Sequence, residues 1–148
     1  MKSIFDPLVQ AEIANRIGAI TPESKALWGK MTLLEMIQHC MLCDDMYSGK
    51  LKIKRAFIGR LFGRIVLKKV LQDDTPFRKH SPTSPALQTA IIDGDLESKK
   101  QEWIKGLNIY NNFNNPDFVH PFFGPLTKEQ IGYLSYKHAD HHLRQFGV

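Results

Sequence analysis

The amino-acid sequence predicts an all-α protein, an antiparallel four-helix bundle with at least one long crossover connection. Two observations lead to this fold class. Apolar residues recur with helical spacing through most of the chain, and no stretch shows the sustained alternation of a β-strand. The segments of helical length are joined by loops of mixed length, which is typical of bundles with a crossover. The 148 residues are expected to form one domain, residues 1–148.

Five helices are predicted, and local signals mark where they begin and end. The first helix begins at Asp6 and Pro7, which are typical of a helix N-terminus, and it ends before Gly18. A short apolar turn is expected at residues 87–92, after a loop rich in turn-forming residues. The five helices are predicted over residues 6–17, 32–49, 56–71, 96–111 and 127–147.

The second and fifth helices begin with the spacing of a capping box. Thr32 is followed three residues later by Glu35, and Thr127 is followed in the same way by Gln130. In this motif each side chain accepts a hydrogen bond from the backbone amide of the other residue. The second helix is expected to end near Gly49.

The third and fourth helices are each predicted to bury an apolar side. In the fourth helix, Trp103 and Leu107 lie on that side. In the third helix, Gly59 and Gly63 weaken the helix or permit close packing. An apolar stripe along the third helix is expected to be core, and it consists of Phe57, Ile58, Leu61, Phe62, Ile65 and Val66.

The composition is that of a soluble globular protein. Hydrophobic residues make up 43% of the chain and charged residues 24%. No run of about 18 apolar residues is present, so no membrane-spanning helix is expected. The N-terminal segment lacks the apolar stretch and the cleavage site of a signal peptide. We therefore expect a cytoplasmic protein.

Positive charge is concentrated in residues 50–69, the basic segment. The net charge is +5, and residues 47–72 contain no acidic residue. Such a segment is compatible with a non-catalytic module that binds nucleic acid or a membrane surface. Phe57 and Phe62, however, lie on the stripe that is expected to be core. We therefore interpret the segment as a solvated helix face, and nucleic-acid binding is not expected. The basic residues are Lys50, Lys52, Lys54, Arg55, Arg60, Arg64, Lys68 and Lys69.

The two cysteines, Cys40 and Cys43, form a CxxC motif inside the second helix. Two cysteines cannot form a disulfide framework. Together with a histidine pair they offer a rival metal site, but structural zinc sites usually have compact ligand spacing. Redox-active CxxC motifs lie at helix N-termini, whereas Cys40 lies two turns inside its helix. Both cysteines are therefore expected to be buried, small apolar residues.

The last helix carries a histidine pair on its apolar face. At about 100° per residue, His138 and His142 lie about 20° on either side of Ile131, and His141 lies about 80° away, at the edge of that face. Neutral imidazoles one helical turn apart can bind the same metal ion. The alternative is that the histidines lie at a solvated helix end, where positive charge is favourable.

His39 is the best candidate for a third ligand. It lies in the middle of the second helix, among apolar residues. Its ring is expected about 100° from the centre of the face marked by Ile37, Cys40 and Asp44, but the helix is apolar nearly all round, so that two faces can be buried. A core histidine that satisfies its own hydrogen bonds is the alternative.

Several motifs together resemble the DinB-like (YfiT-like) superfamily. They are Trp28-Gly-Lys-Met31, Glu35-Met-Ile-Gln-His39 and His138-Ala-Asp-His141-His142-Leu-Arg-Gln145. The segment His120-Pro-Phe-Phe-Gly124-Pro-Leu-Thr127 and the terminal Arg-Gln-Phe-Gly resemble one branch of that superfamily. The resemblance covers nearly the whole chain and implies a four-helix bundle with a partly crossed-over topology.

The same resemblance implies a divalent-metal site. By position, His39, His138 and His142 match the three ligands, whereas His141 matches a position that is often histidine but is not a ligand. Nickel and zinc are the metals implied first, and iron and manganese are further candidates. Superfamily members are often dimers, so a homodimer is a candidate assembly.

Three protein ligands leave coordination positions for water or substrate. A metal ion there lowers the pKa of a bound water or thiol. The superfamily includes thiol-dependent transferases, so the expected function is a metal-dependent transferase or hydrolase that acts on a small molecule, with a low-molecular-weight thiol as a candidate. The alternative is a ligand-binding module without catalysis, and no catalytic residue is assigned.

Four further residues are candidates for supporting roles. Asp44 and Asp140 can orient imidazoles through hydrogen bonds, with solvated helix carboxylates as the alternative. His120 precedes a loop that leads into the last helix, so it is a candidate for the mouth of a cleft, and an ordinary loop histidine is the alternative. His141 is a candidate for the same cleft or for contact with the ligands.

Overall fold

The computed structural model describes residues 1–88 and 94–148, and this part of the chain is mainly helical. Helices α1 to α5 cover Pro7–Gly18, Leu33–Ser48, Phe57–Val70, Leu96–Gly106 and Lys128–Gln145. Two short 3-10 turns cover Pro85–Leu87 and Leu107–Tyr110, and the second one continues α4. The five predicted helices are confirmed. The apolar turn predicted at residues 87–92 extends into residues 89–93, which lie outside the described part of the chain.

The predicted N-terminal ends of α1, α2 and α5 are confirmed at the level of single hydrogen bonds. Asp6 accepts a hydrogen bond from the Leu8 amide at the start of α1. The capping box of α2 is complete, with Oε2 of Glu35 2.7 Å from the Thr32 amide. Thr127 begins α5 with a second complete capping box. Because these motifs depend on residues close in sequence, they can be predicted without knowledge of the tertiary fold.

Four of the helices form the main core. α2 packs against α4 and α5, and α1 packs against the same two helices. Trp103 and Leu107 are buried, as predicted. α2 buries two faces, since Cys40 on one side and His39 on another are both inaccessible to solvent. This double burial brings His39 towards α5.

The prediction that the apolar stripe of α3 belongs to the core is wrong. Phe57 is 76% exposed and Ile65 is 69% exposed. The buried side of α3 consists of Gly59, Gly63 and Leu67. A Cβ atom at either glycine would overlap the backbone of Phe122, so α3 packs through its glycines. Helical periodicity reveals that an apolar face exists, but it does not determine whether that face is buried.

The segment that α3 contacts is a small hairpin, which the sequence analysis missed. Strand β1, Val119–His120, pairs antiparallel with strand β2, Gly124–Pro125. Strands this short show no alternating pattern. Gly124 has a φ of 85°, which favours glycine. Within the described residues, no helix is both long and apolar enough to cross a bilayer.

Candidate metal centre

Three histidines meet where α2 packs against α5. His39 comes from the middle of α2, and His138 and His142 come from successive turns of α5. One ring nitrogen of each lies within 4.8 Å of the others. The closest pair is Nε2 of His39 and Nε2 of His138, which are 3.0 Å apart. The structure therefore brings together the three residues that the sequence analysis chose as ligands.

A backbone carbonyl fixes the orientation of His39. Nδ1 of His39 lies 2.8 Å from the carbonyl oxygen of Leu87, in the first 3-10 turn. A carbonyl oxygen can only accept a hydrogen bond, so Nδ1 carries the proton. The lone pair of His39 is then on Nε2, which is the nitrogen that faces His138.

Gln145 orients His142 in the same way. Nδ1 of His142 lies 2.8 Å from Oε1 of Gln145. The amide nitrogen of Gln145 donates to the backbone carbonyl of Trp28 at 2.7 Å, so the amide oxygen must face His142. Nδ1 of His142 therefore donates, and its Nε2 is the nitrogen with a lone pair. This arrangement matches the support that metal-bound histidines receive from neighbouring acceptors.

The three histidines are neutral at physiological pH. Burial lowers the pKa of His39. Burial, together with the nearby imidazoles of His142 and His39, lowers the pKa of His138 well below its ordinary value. Burial lowers the pKa of His142 to about 3. Neutral imidazole is the form that binds metal ions.

The donor set fits a divalent metal ion. Nε2 of His39 is an acceptor, so without a cation Nε2 of His138 must donate to it across the 3.0 Å separation. With the proton of His138 moved to Nδ1, three lone pairs would converge, and only a cation would make that arrangement favourable. Three imidazole nitrogens suit zinc, nickel and iron.

Cys43 borders this cluster, and Cys40 does not. Sγ of Cys43 lies 3.6 Å from Nε2 of His138 and 4.0 Å from Nε2 of His39. Sγ of Cys40 instead contacts the sulfur of Met36. Both cysteines are buried, as predicted, but a metal site that combines both of them with the histidine pair is not formed. Cys43 is more than a small apolar residue because its sulfur faces the imidazoles.

The two aspartates have roles that the sequence analysis did not predict. Asp44 is partly buried, and among the described residues its carboxylate accepts hydrogen bonds from Nε1 of Trp103 and the Tyr110 hydroxyl, not from an imidazole. Burial raises the pKa of Asp44 to about 7. Asp140 binds Nη1 of Arg16 at 2.8 Å and Nε of Arg144 at 2.8 Å. Asp140 therefore joins α1 to α5.

His120 holds the hairpin together. Its Nδ1 accepts hydrogen bonds from the amides of Phe122 and Phe123, each at 3.1 Å. Burial lowers the pKa of His120 to about 4, so the ring remains a neutral acceptor. These contacts give His120 a structural role in the loop that supports α3, which agrees with the alternative that it is an ordinary loop histidine.

His141 lies beside an open recess. Its ring centroid is 5.1 Å from that of His142, and it packs against the ring of Trp28. His141 and Trp28, together with Phe77 and Lys79, line a recess of about 260 Å³. The recess adjoins the histidine cluster through the ring of His141, so it is the candidate approach for a small molecule.

The comparison with protein families covers this whole arrangement. Residues 10–147, which include all three histidines and their hydrogen-bond partners, match the family described as "Protein of unknown function (DUF1569)". The chain belongs to this family. No curated protein and no solved structure matches the chain. The family description assigns no activity.

Proposed function

We propose that this member of the DUF1569 family binds one divalent metal ion through Nε2 of His39, His138 and His142. The observation that carries the proposal is the convergence of three ring nitrogens within 4.8 Å. The second observation is that the opposite nitrogens of His39 and His142 are already engaged by Leu87 and Gln145. Such partners fix the ring nitrogen that is presented to a metal.

The proposed fold is a DinB-like four-helix bundle with a long crossover. The helices that pack on one another are α1, α2, α4 and α5. The chain between α2 and α4, which contains α3, is then the long connection. This arrangement and the motifs of α2 and α5 support the resemblance to the DinB-like superfamily.

The proposed chemistry is a metal-dependent transfer or hydrolysis on a small molecule. A metal ion held by three histidines supplies a position where a water or thiol binds with a lowered pKa. The three histidines would hold the ion, and Leu87 and Gln145 orient His39 and His142. Lys79 and Arg144 at the recess add positive charge, which suits an anionic small molecule. A low-molecular-weight thiol with a carboxylate group has both a sulfur that can bind the ion and a negative charge that suits the recess.

Elemental analysis of untagged protein, purified without chelators, tests the metal site. We expect about one nickel, zinc, iron or manganese ion per chain. We expect its loss in His39→Ala, His138→Ala and His142→Ala proteins that retain their helical circular dichroism. His80→Asn is the matched control, because His80 is exposed and Asn tolerates its φ of 60°. A wild-type protein that binds none of these metals, even after they are added, would refute the proposal.

A cobalt titration tests the thiol separately. The Cys43→Ser protein is loaded with cobalt, so that any sulfur-to-cobalt absorption must come from added thiol. We expect 2-mercaptoethanol to produce a new near-ultraviolet absorption band. A matched 2-hydroxyethyl compound that lacks the thiol is expected to produce no such band. If cobalt binds and no band forms, the metal site stands and the thiol hypothesis is rejected.

A further inference from the structure

The outer side of α3 is the largest departure from ordinary surface composition in the described residues. Six large apolar side chains point into solvent along this one helix. A soluble protein rarely exposes so many neighbouring apolar side chains unless the surface has a partner. Their exposed fractions are 76% for Phe57, 59% for Ile58, 60% for Leu61, 51% for Phe62, 69% for Ile65 and 36% for Val66.

The packing of α3 holds these side chains outwards. Gly59 and Gly63 lie so close to the backbone of Phe122 that neither position has room for a Cβ atom. Leu67 is the next buried residue along the same side. If α3 turned its apolar stripe inwards, bulky side chains would occupy positions where only glycine fits. The exposed stripe is therefore fixed by the fold.

Positive charge borders the stripe along one side and at its C-terminal end. Arg60, Arg64, Lys68 and Lys69 are all exposed, and none of the four forms an ion pair with another residue in the described ranges. Arg64 and Lys68 also line an open recess of about 320 Å³, beside the apolar stripe. No acidic residue occurs in residues 47–72. The surface therefore combines the apolar stripe with cations that have no ion-pair partner in the described ranges.

We propose that α3 docks on an anionic phospholipid surface. A helix with an apolar face that includes aromatic residues and with flanking cations lies in the plane of a membrane, with its apolar side at the acyl boundary and its cations on headgroup phosphates. At about 1.5 Å per residue, the 14 residues of α3 span about 21 Å along the surface. The recess at Arg64 and Lys68 faces the headgroup region.

Charge favours an anionic phospholipid surface over two other partners, a second copy of the chain and a nucleic acid. In a symmetric dimer formed through α3, each copy would present the same four cations to its partner, and these would repel. A nucleic acid would use the cations but would leave the apolar stripe in water. An anionic bilayer is complementary to both parts of the surface. This proposal is independent of the metal site.

Vesicle sedimentation of the protein tests whether α3 docks on an anionic phospholipid surface. We expect the protein to bind vesicles of phosphatidylcholine with phosphatidylglycerol, and to bind pure phosphatidylcholine vesicles much less. Phe57→Ser with Phe62→Ser is expected to abolish binding. Arg60→Glu and Lys69→Glu are each expected to weaken vesicle binding at least about fivefold. Added salt is expected to weaken vesicle binding of the wild type.

The matched control is Leu8→Ser with Leu27→Ser, because Leu8 is 81% exposed and Leu27 is 69% exposed away from α3. Circular dichroism verifies that all variants fold. The proposal is overturned if the control and the α3 variants lose binding equally, or if the wild type ignores anionic vesicles. It is also overturned if Phe57→Ser with Phe62→Ser converts a wild-type dimer into monomers, or if the wild type binds nucleic acid in preference to these vesicles.

Discussion

The side-chain oxygen of Gln145 accepts a hydrogen bond from Nδ1 of His142 at 2.8 Å. This contact determines which nitrogen of His142 faces His39 and His138. Gln145 is itself held by the carbonyl oxygen of Trp28. The segment before α2 therefore controls the orientation of a ring on α5, and it does so through one amide side chain.

Gln145→Ala is expected to weaken metal binding about 10-fold to 100-fold, because the ring of His142 loses the partner that orients it. Gln145→Glu keeps an acceptor for Nδ1 but loses the donor to Trp28, so a smaller loss is expected. A competition titration with a chromogenic chelator measures both affinities. Gln101→Ala, on the exposed side of α4, is the control, and equal affinities in all four proteins would contradict the role given to Gln145.

Cys43 is expected to contribute a thiolate to the bound ion in the resting site, at the position from which an incoming water or thiol would displace it. A tetrahedral ion with nitrogen and sulfur ligands at ordinary bond lengths places those atoms about 3.5 Å apart. Sγ of Cys43 lies 3.6 Å and 4.0 Å from the nitrogens of His138 and His39. Cobalt-loaded wild type should therefore show a sulfur-to-cobalt band without added thiol. The band should disappear in Cys43→Ser and remain in Cys40→Ser; its persistence in Cys43→Ser would exclude Cys43 as a ligand.

The metal-free protein is expected to lose stability as the pH falls below about 6.5, the ordinary pKa of histidine. The buried histidines resist protonation in the folded state, whereas the unfolded chain accepts protons, so acid favours unfolding. Each such histidine lowers the free energy of unfolding by up to about 1.4 kcal/mol per pH unit below that pKa. Urea denaturation in the presence of a chelator, at several pH values, measures the slope.

Two variants separate the contributions to that slope. For His142, whose folded pKa is about 3, the loss continues down to that pH, and His142→Gln should flatten the slope by about one proton. Asp44 acts in the opposite direction, because its folded pKa of about 7 lies above its ordinary value. Its contribution is complete at low pH and is lost as the pH rises towards 7. Asp44→Asn should therefore steepen the slope, and a slope that neither variant changes would contradict these assignments.

Asp140→Asn is expected to destabilise the fold by about 1.5–3 kcal/mol without loss of metal. The substitution removes charged hydrogen-bond partners from Arg16 and Arg144, but no imidazole contacts Asp140 through a hydrogen bond in the described residues. Thermal denaturation and elemental analysis measure the two effects. Asp45→Asn is the control, since its ion pair with Lys50 is exposed and contributes at most about 1 kcal/mol. Loss of metal in Asp140→Asn at full helicity would restore the earlier hypothesis that Asp140 orients a ligand.

The sequence was sufficient for features that depend on nearby residues. The capping boxes at Thr32 and Thr127 require only a spacing of three residues, and both form. The placement of His138 and His142 on one face requires only the helical repeat. His39 was chosen from its place among apolar residues in the middle of the second helix, and the resemblance matched it, but its orientation towards α5 depends on packing on two sides of α2.

Other features depend on contacts between distant parts of the chain. A backbone carbonyl such as that of Leu87 or Trp28 has no sequence signal, so the partners of His39 and Gln145 could not be predicted. The orientation of α3 was missed because its glycines, and not its apolar stripe, meet the hairpin. The hydrogen bonds of Asp44 were missed for a similar reason, because Trp103 and Tyr110 are far from it in the sequence.

The pairing of His39 with His138 also has a consequence for the order of folding. The two residues are 99 positions apart in the chain. Contacts at this separation require closure of a long loop, which is entropically costly and therefore late. The local helices can form before α2 and α5 meet, but the histidine cluster cannot. A metal ion added during refolding should consequently leave the rate of early helix formation unchanged. It should slow only the unfolding of molecules in which α2 and α5 have already packed together.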